Sequence, residues 1–327
     1  MQRRNFIKGI AGSAAAWPFA ARAQQSALPV IGFVNAFSPQ ELARPLSVFL
    51  KGLSEAGYDD GRNVAIEYRW AEGHIERLPA MLADLIHRQV TVIAATGAPA
   101  ALAAKAATTT IPIVFETGGD PIQLGLVASL NRPGGNMTGA TQLVQETMPK
   151  LLELLHELVP TVRVVALLVN PTDPALAEAS ENAALPAARN LGLELHTLNA
   201  SSERDFDGAF KKLIEMGAGA LVISGEALFT GHSERLAALA LNYRMPAFYK
   251  GRDFAAAGGL VAYGSDIADT YRLAGNYIGR VLKGDKPADL PVQRATKIEL
   301  IINLKTAKAL GIGIPLPVSG RADEVIE

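Results

Sequence analysis

Charge, small residues and a helix-start signal meet in Glu116-Thr117-Gly118-Gly119-Asp120-Pro121. This stretch follows Ile111-Pro112-Ile113-Val114-Phe115, an apolar run with the pattern of a short strand buried on both faces. Asp before Pro starts helices: the carboxylate caps free N–H groups and proline suits the first helical position. The expectation is a strand, a glycine-rich turn and a helix from Ile122 to Leu130. In open parallel sheets, ligands bind outside such strand ends.

Similar loops recur at 35–38, 96–99, 170–173, 225–228 and 265–266. Together with neighbouring strand ends they supply the candidate ligand-binding residues. These are Asn35, Phe37, Ser38, Thr96, Gly97, Glu116, Asp120, Asn170, Glu226, Tyr249, Tyr263 and Asp266. Helix N-termini after Thr96 and around Asp120 offer backbone donors and partial positive charge to a carboxylate. Glu116, Asp120, Glu226 and Asp266 can answer an ammonium, with Glu226 and Asp120 foremost. Phe37, Phe229, Tyr249 and Tyr263 can pack on an apolar or ring-shaped group. Taken singly, Ser38, Asp120 and Asp266 read as caps and Tyr263 as core. It is their gathering at one edge that suggests a site. The ligand class they suit is an amino acid or a similar small zwitterion or carboxylate. Sugars and nucleosides remain the alternative, since their sites also combine aromatic rings with Asn and Asp.

Composition narrows the chemistry. The chain has 327 residues, of which 49% are hydrophobic, enough for two lobes with cores. A net charge of −1 with scattered Lys and Arg gives no electrostatic case for nucleic acid. With no cysteine, disulfides, thiol catalysis and zinc-thiolate sites are excluded. The five histidines show no metal-ligand spacing. The first strand runs into Asn35-Ala36-Phe37-Ser38 rather than a glycine fingerprint, and no Gly-Lys-Ser/Thr phosphate loop or Gly-x-Ser-x-Gly elbow occurs. A dinucleotide oxidoreductase and a serine hydrolase are therefore disfavoured. No cofactor is expected and no enzymatic activity.

The first residues read as an address. Gln2-Arg3-Arg4-Asn5-Phe6-Ile7-Lys8 is a basic region with paired arginines, and Gly9 to Ala20 is mildly apolar and too short to span a bilayer stably. Ala21-Arg22-Ala23 has the small-x-small form of a cleavage site. The run resembles a twin-arginine signal peptide over residues 1–23, which implies export of the folded chain to the periplasm and cleavage near Ala23.

Beyond it, strand and helix patterns alternate. Strands are expected at 28–35, 63–70, 90–95, 111–115, 138–144, 162–169, 194–199, 220–224, 246–250 and 259–263. Helices are expected after the Ser38-x-x-Glu41 capping box and over 77–88, 98–108, 149–158, 175–191, 202–216, 235–243 and 266–282. Pro45 implies a kink or a late start, and Pro186 a kink. Two successive runs of this kind read as an α/β chain with two doubly wound parallel-sheet lobes.

Several stretches carry a family resemblance. They include Val30-Ile31-Gly32-Phe33, Gly61 to Arg69, Gly118 to Pro121 with Leu124 to Leu130, and Arg132 to Gly139. Later come Tyr263-Gly264, Asn303 to Gly311 and Ala322 to Ile326. The chain resembles the substrate-binding component of an ABC importer, in the tryptophan-type family with the type I periplasmic-binding-protein fold. The resemblance implies two lobes joined by three crossings, near Leu143, Asp266 and Val292, that close on a small ligand. The implied lobes are residues 28–142 with 266–292, and 143–265 with 293–327. The implied partners are a small-molecule ligand and a membrane permease, with the binding protein itself a monomer. A ligand sensor that feeds no transporter, or a periplasmic enzyme using the same cleft, are the competing classes. The enzyme lacks a nucleophile–base signature.

Overall fold

The computed structural model describes residues 28–142 and 146–327. The export signal expected at residues 1–23 and the crossing expected near Leu143 lie outside the described residues.

The chain runs β1 (Val30–Asn35), α1 (Ala43–Glu55), β2 (Ala65–Trp70), α2 (Leu78–His87), β3 (Val92–Thr96), α3 (Ala98–Ala107), β4 (Ile113–Thr117) and β5 (Met137–Thr141). There follow α4 (Met148–Leu158), β6 (Val164–Val169), α5 (Pro174–Asn190), β7 (Glu194–Asn199), α6 (Phe206–Glu215) and β8 (Ala220–Ile223). Next are α7 (Ala227–Gly231), α8 (Ser233–Asn242), β9 (Ala247–Tyr249), α9 (Arg252–Ala256), β10 (Val261–Gly264) and α10 (Ile267–Leu282). The chain ends with β11 (Gln293–Arg294), β12 (Glu299–Asn303), α11 (Leu304–Leu310), α12 (Leu316–Ser319) and β13 (Glu324–Ile326).

Two sheets result. The first is parallel throughout, in the order β11-β5-β4-β3-β1-β2. The second runs β13-β12-β10-β9-β8-β6-β7 and is parallel except where β10 meets β12. Both share the doubly wound order in which the strand sequence reverses between the first and third strands, at β1/β3 and at β6/β8. That reversal opens a crevice at the carboxyl ends of the strands.

The central strands are apolar on both faces because helices cover both. In β1, Ile31 and Phe33 join Phe49 and Leu53 of α1 in one cluster. Val34 joins Leu82 and Leu85 of α2 in another. Phe33 meets Phe49 edge to face at 5.3 Å. In β6, Ala166 and Leu168 belong to one cluster, and Val165, Leu167 and Val169 to a second. Fully burying one such Leu, Val or Phe side chain contributes about 1.5–3 kcal/mol.

The helix α10 follows a strand of the second sheet but packs on the first. Its backbone lies directly on α1. A Cβ on Gly52 would come 2.1 Å from the Arg272 carbonyl oxygen, and one on Gly275 would come 2.1 Å from the Phe49 oxygen. Two glycines facing each other let the helices touch and so set the depth at which α10 enters the cleft.

Local signals were mostly honoured, with one correction. Residues 122–130 do not form the expected helix. The Asp120 cap exists, with Oδ1 accepting from the Ile122 N–H at 2.8 Å. Propagation fails because Gly125 turns left-handed at φ 68° and the N–H groups of Leu126 and Val127 both return to the Pro121 carbonyl. Leu126 and Val127 are thereby buried in the cluster beside β3 and β4. The Ser38–Glu41 capping box forms, Glu41 Oε2 accepting from the Ser38 N–H at 2.7 Å, but it closes a turn. The helix starts later, at Ala43, so Pro45 sits in its first turn. Pro186 lies inside α5. The short helices α7 and α9 have no counterpart among the sequence expectations, nor do the elements after residue 293.

Candidate functional site

The two crevices face each other and enclose a small cavity. Its walls from the first sheet are Asn35, Phe37, Gly97, Ala98, Glu116, Gly118 and Gln142. From the second come Asp173, Leu176, Gly225, Glu226 and Ala227, and α10 adds Ile267 and Tyr271. The cavity volume is about 20 Å³. Larger grooves exist on the surface, such as one of about 640 Å³ at the rim around Arg44 and Arg235. That groove is lined by exposed ion pairs such as Arg44–Asp253. The enclosed cavity is the better candidate because buried ionisable groups converge on it.

On the first wall, Asn35 ends β1 and Thr96 ends β3, and their Cα positions are in register. The Asn35 amide donates to Thr96 Oγ1 at 2.7 Å and to the Thr96 carbonyl at 2.9 Å. Asn35 Oδ1 accepts from the Phe37 N–H at 2.7 Å, which turns the loop so that Phe37 reaches the cavity. Glu116 sits at the end of β4, buried, with Oε1 accepting from Thr270 Oγ1 at 3.0 Å. Burial lifts its pKa well above the usual carboxylate range, against the Thr270 hydrogen bond and the field of Lys250.

On the second wall, Glu226 precedes α7 and is 2% exposed. Its Oε1 accepts from Ser224 Oγ at 2.7 Å and from the Asn170 N–H at 3.1 Å. Among the described residues its Oε2 is buried with no hydrogen-bond partner, and so is Asn170 Nδ2. Burial pushes the Glu226 pKa up to about 8, and the nearby Asp173 carboxylate adds to the rise. Asp173 caps α5 by accepting from the Leu176 N–H at 3.2 Å, and burial raises its pKa to about 6. The site thus holds three carboxyl groups whose charged form is penalised by burial, Glu226 most strongly, together with apolar walls from Phe37, Leu176, Ile267 and Tyr271.

Of the residues expected from sequence, Asn35, Phe37, Gly97, Glu116 and Glu226 line the cavity. Thr96 and Asn170 stand one layer behind, holding Asn35 and Glu226. Tyr249 is buried behind Glu226, its hydroxyl 2.6 Å from Thr230 Oγ1 and 3.3 Å from the Glu226 carbonyl. Asp266 caps α10, accepting from the Ala268 N–H at 2.9 Å, and pairs with Arg44 at 2.6 Å on the rim. Ser38 belongs to its turn, Asp120 to the turn before Gly125, and Tyr263 packs beside the apolar cluster of the second sheet. Sequence reasoning missed Gln142, Asp173 and Tyr271 as lining residues, and Lys250, which bonds to Gln142 behind the wall. Two carried a readable signal: Asp173-Pro174 is a helix start at a strand end, and Lys250 is a lone charge closing the buried strand Ala247–Tyr249. Among the described residues, no group of His, Asp or Glu could hold a metal ion, and no helix is long and apolar enough to cross a membrane.

Comparison with known proteins agrees with this architecture. A "tyrosine-binding protein" of Clostridioides difficile is 26% identical over 280 residues, which is 86% of this chain and 80% of that protein. The solved ABC domain in complex with L-Trp from Streptococcus pneumonia is 26% identical, with a TM-score of 0.78 over 91% of this chain and all of that one. A conserved domain protein from Vibrio cholerae gives a TM-score of 0.81 at 26% identity, covering 91% of this chain and 99% of that one. A family model described as "ABC transporter substrate binding protein" matches residues 31–326. The chain therefore belongs to the ABC transporter substrate-binding protein family, with the type I periplasmic-binding-protein fold.

Proposed function

We propose that this chain is the extracytoplasmic solute-binding component of an ABC importer, and that its ligand is an amino acid with an apolar or aromatic side chain. The observation that carries the ligand class is Glu226. Its Oε2 is buried without a partner at a cavity between two sheets, so the group keeps its proton up to about pH 8 and becomes a carboxylate when an ammonium meets it. Phe37, Leu176, Ile267 and Tyr271 supply a surface for the side chain. The two relatives described as binding tyrosine and holding L-Trp support the same class.

The reading includes motion. A cavity of about 20 Å³ admits one water, so an amino acid enters only when the walls part. The crossing expected near Val292 is moved in this proposal to between Arg294 and Glu299, because β11 pairs with β5 of the first sheet. The lobes are then residues 28–142 with 266–294, and 143–265 with 295–327. Scattering should show a smaller radius of gyration at ligand saturation than without ligand, and an unchanged radius with proven binding would mean a rigid pocket. Export by the twin-arginine route, to the periplasm and as a monomer serving a permease, completes the proposal. A precursor carrying Arg3→Lys and Arg4→Lys should stay in the cytoplasm, and its normal export would refute that route.

The deciding experiment is a thermal-shift screen of amino acids, sugars and nucleosides. A ligand with a Kd of ~1 μM, supplied at ~1 mM, stabilises the native state by about 4 kcal/mol through mass action. A shift for amino acids alone supports the reading. A shift only for neutral sugars or nucleosides overturns it, and recovery of a chemically altered ligand would indicate an enzyme.

A further inference from the structure

Lys250 follows β9 on the second sheet, and its side chain reaches across to Gln142 at the end of β5. Its ammonium donates to Gln142 Oε1. The residue is only 5% exposed. An ammonium has three donors, and this one meets a single neutral amide oxygen. Among the described residues no carboxylate oxygen lies within ion-pair distance of it, and Glu116, Asp266 and Glu226 act on it only at longer range. Burial pulls its pKa below the usual lysine range, against the fields of those carboxylates.

The stem of Lys250 is held by bare backbone. A Cβ on Gly225 would lie 2.5 Å from its Cδ, and one on Gly264 would lie 2.8 Å from its Cβ. Two strand ends therefore carry no side chain where the lysine passes. Gly225 also lines the cavity, so the groove that holds the lysine opens beside the Glu226 wall. There Glu226 Oε2 and Asn170 Nδ2 have no partners. Lys250 does not itself line the cavity in this closed form, but Gly225, which its stem crosses, does. An ammonium with donors to spare and, beyond ion-pair reach of it, a carboxyl oxygen with no partner are together complementary to a molecule bearing one anionic and one cationic group.

We propose that Lys250 is a specificity-determining residue of the cleft, taking the carboxylate of a zwitterionic ligand whose ammonium goes to Glu226. The proposal rests on the amino-acid reading above. It relieves that reading of one weak part, since the helix N-terminus expected beyond Asp120 is a turn.

The test is calorimetry of the wild type, Lys250→Met and Lys250→Gln with four probes. L-tyrosine and L-tryptophan carry the carboxylate, whereas tyramine and tryptamine keep ring and ammonium but lack it. The wild type should favour the amino acids over the amines by about 100-fold. Both variants should lose about that factor for the amino acids and stay within about threefold for the amines, which also shows that they fold. Equal losses for acids and amines would make Lys250 a structural prop and overturn the proposal. Unchanged amino-acid affinity in both variants would overturn it too. If the wild type binds no amino acid in the thermal screen, the amino-acid reading falls and this proposal with it.

Discussion

Glu116 and Glu226 are the same side chain at the carboxyl ends of two central parallel strands, Glu116 in the last residues of β4 and Glu226 just after β8, on opposite walls of one cleft. Both are buried and both have raised pKa values. They differ in commitment. Glu116 takes a hydroxyl donor from Thr270 of α10 and feels the field of Lys250. Glu226 spends one oxygen on Ser224 and Asn170 and leaves the other bare. Desolvation alone therefore does not mark a ligand contact. The bare acceptor does, because its cost is recovered only on binding.

The largest effect of a substitution that tests this contrast is on affinity. Glu226→Gln should weaken amino-acid binding by about 100-fold, roughly 3 kcal/mol, whereas Glu116→Gln should cost less than about tenfold. Calorimetry on both variants checks it, and equal losses would erase the distinction.

Stability against pH comes next. The native state holds a proton on Glu226 up to about pH 8, while the unfolded chain releases it near 4.5. Asp173 behaves alike between 3.8 and about 6. Through these windows the native state binds more protons than the unfolded one, so stability falls as pH rises. Urea unfolding without ligand should give roughly 5 kcal/mol less at pH 8 than at pH 5, most of it from Glu226, and Glu226→Gln should flatten the slope. Lys250, whose pKa is lowered by burial, contributes in the opposite sense at higher pH. A stability that climbs steadily from pH 5 to 8 would contradict the raised carboxyl values.

A smaller effect belongs to the committed glutamate. Thr270→Val strips the hydroxyl from Glu116 and from the Gln142 amide, which donates to it at 3.2 Å. The expected loss is about 1–2 kcal/mol of stability with ligand affinity changed less than about threefold. A large affinity loss would move Glu116 among the ligand contacts.

Smallest is the rim. Arg44 pairs with Asp253 and with Asp266, but its side chain is 44% exposed. Arg44→Ala should cost under about 0.5 kcal/mol in denaturation and change affinity less than about twofold, because water already screens the pair. A tenfold loss would make the rim part of the site.

Much of the fold was legible because apolar runs ending in small and polar residues are local signals. Strand Glu194–Asn199 falls where the pattern puts it, and Ser202 with Asp205 forms a capping box before α6. The helix expected over 122–130 failed for a physical reason. A cap and a proline can start a turn, but Gly125 and the burial of Leu126 and Val127 decide whether it continues. The five-residue helices α7 and α9 are too short to show a period.

In the site, Asn35, Gly97, Glu116 and Glu226 were readable because a parallel sheet sends every strand's carboxyl end to one edge, so position along the chain is enough to place them there. Residue type and strand order thus determined two acidic walls with aromatic cover. Tertiary structure alone decided which groups are bare and which are paired. Tyr271 and Thr270 enter because Gly52 and Gly275 let α10 lie against α1. Lys250 meets Gln142 across 108 positions of chain. A buried charge takes its character from the donors and charges around it, and those are assembled only when distant segments pack.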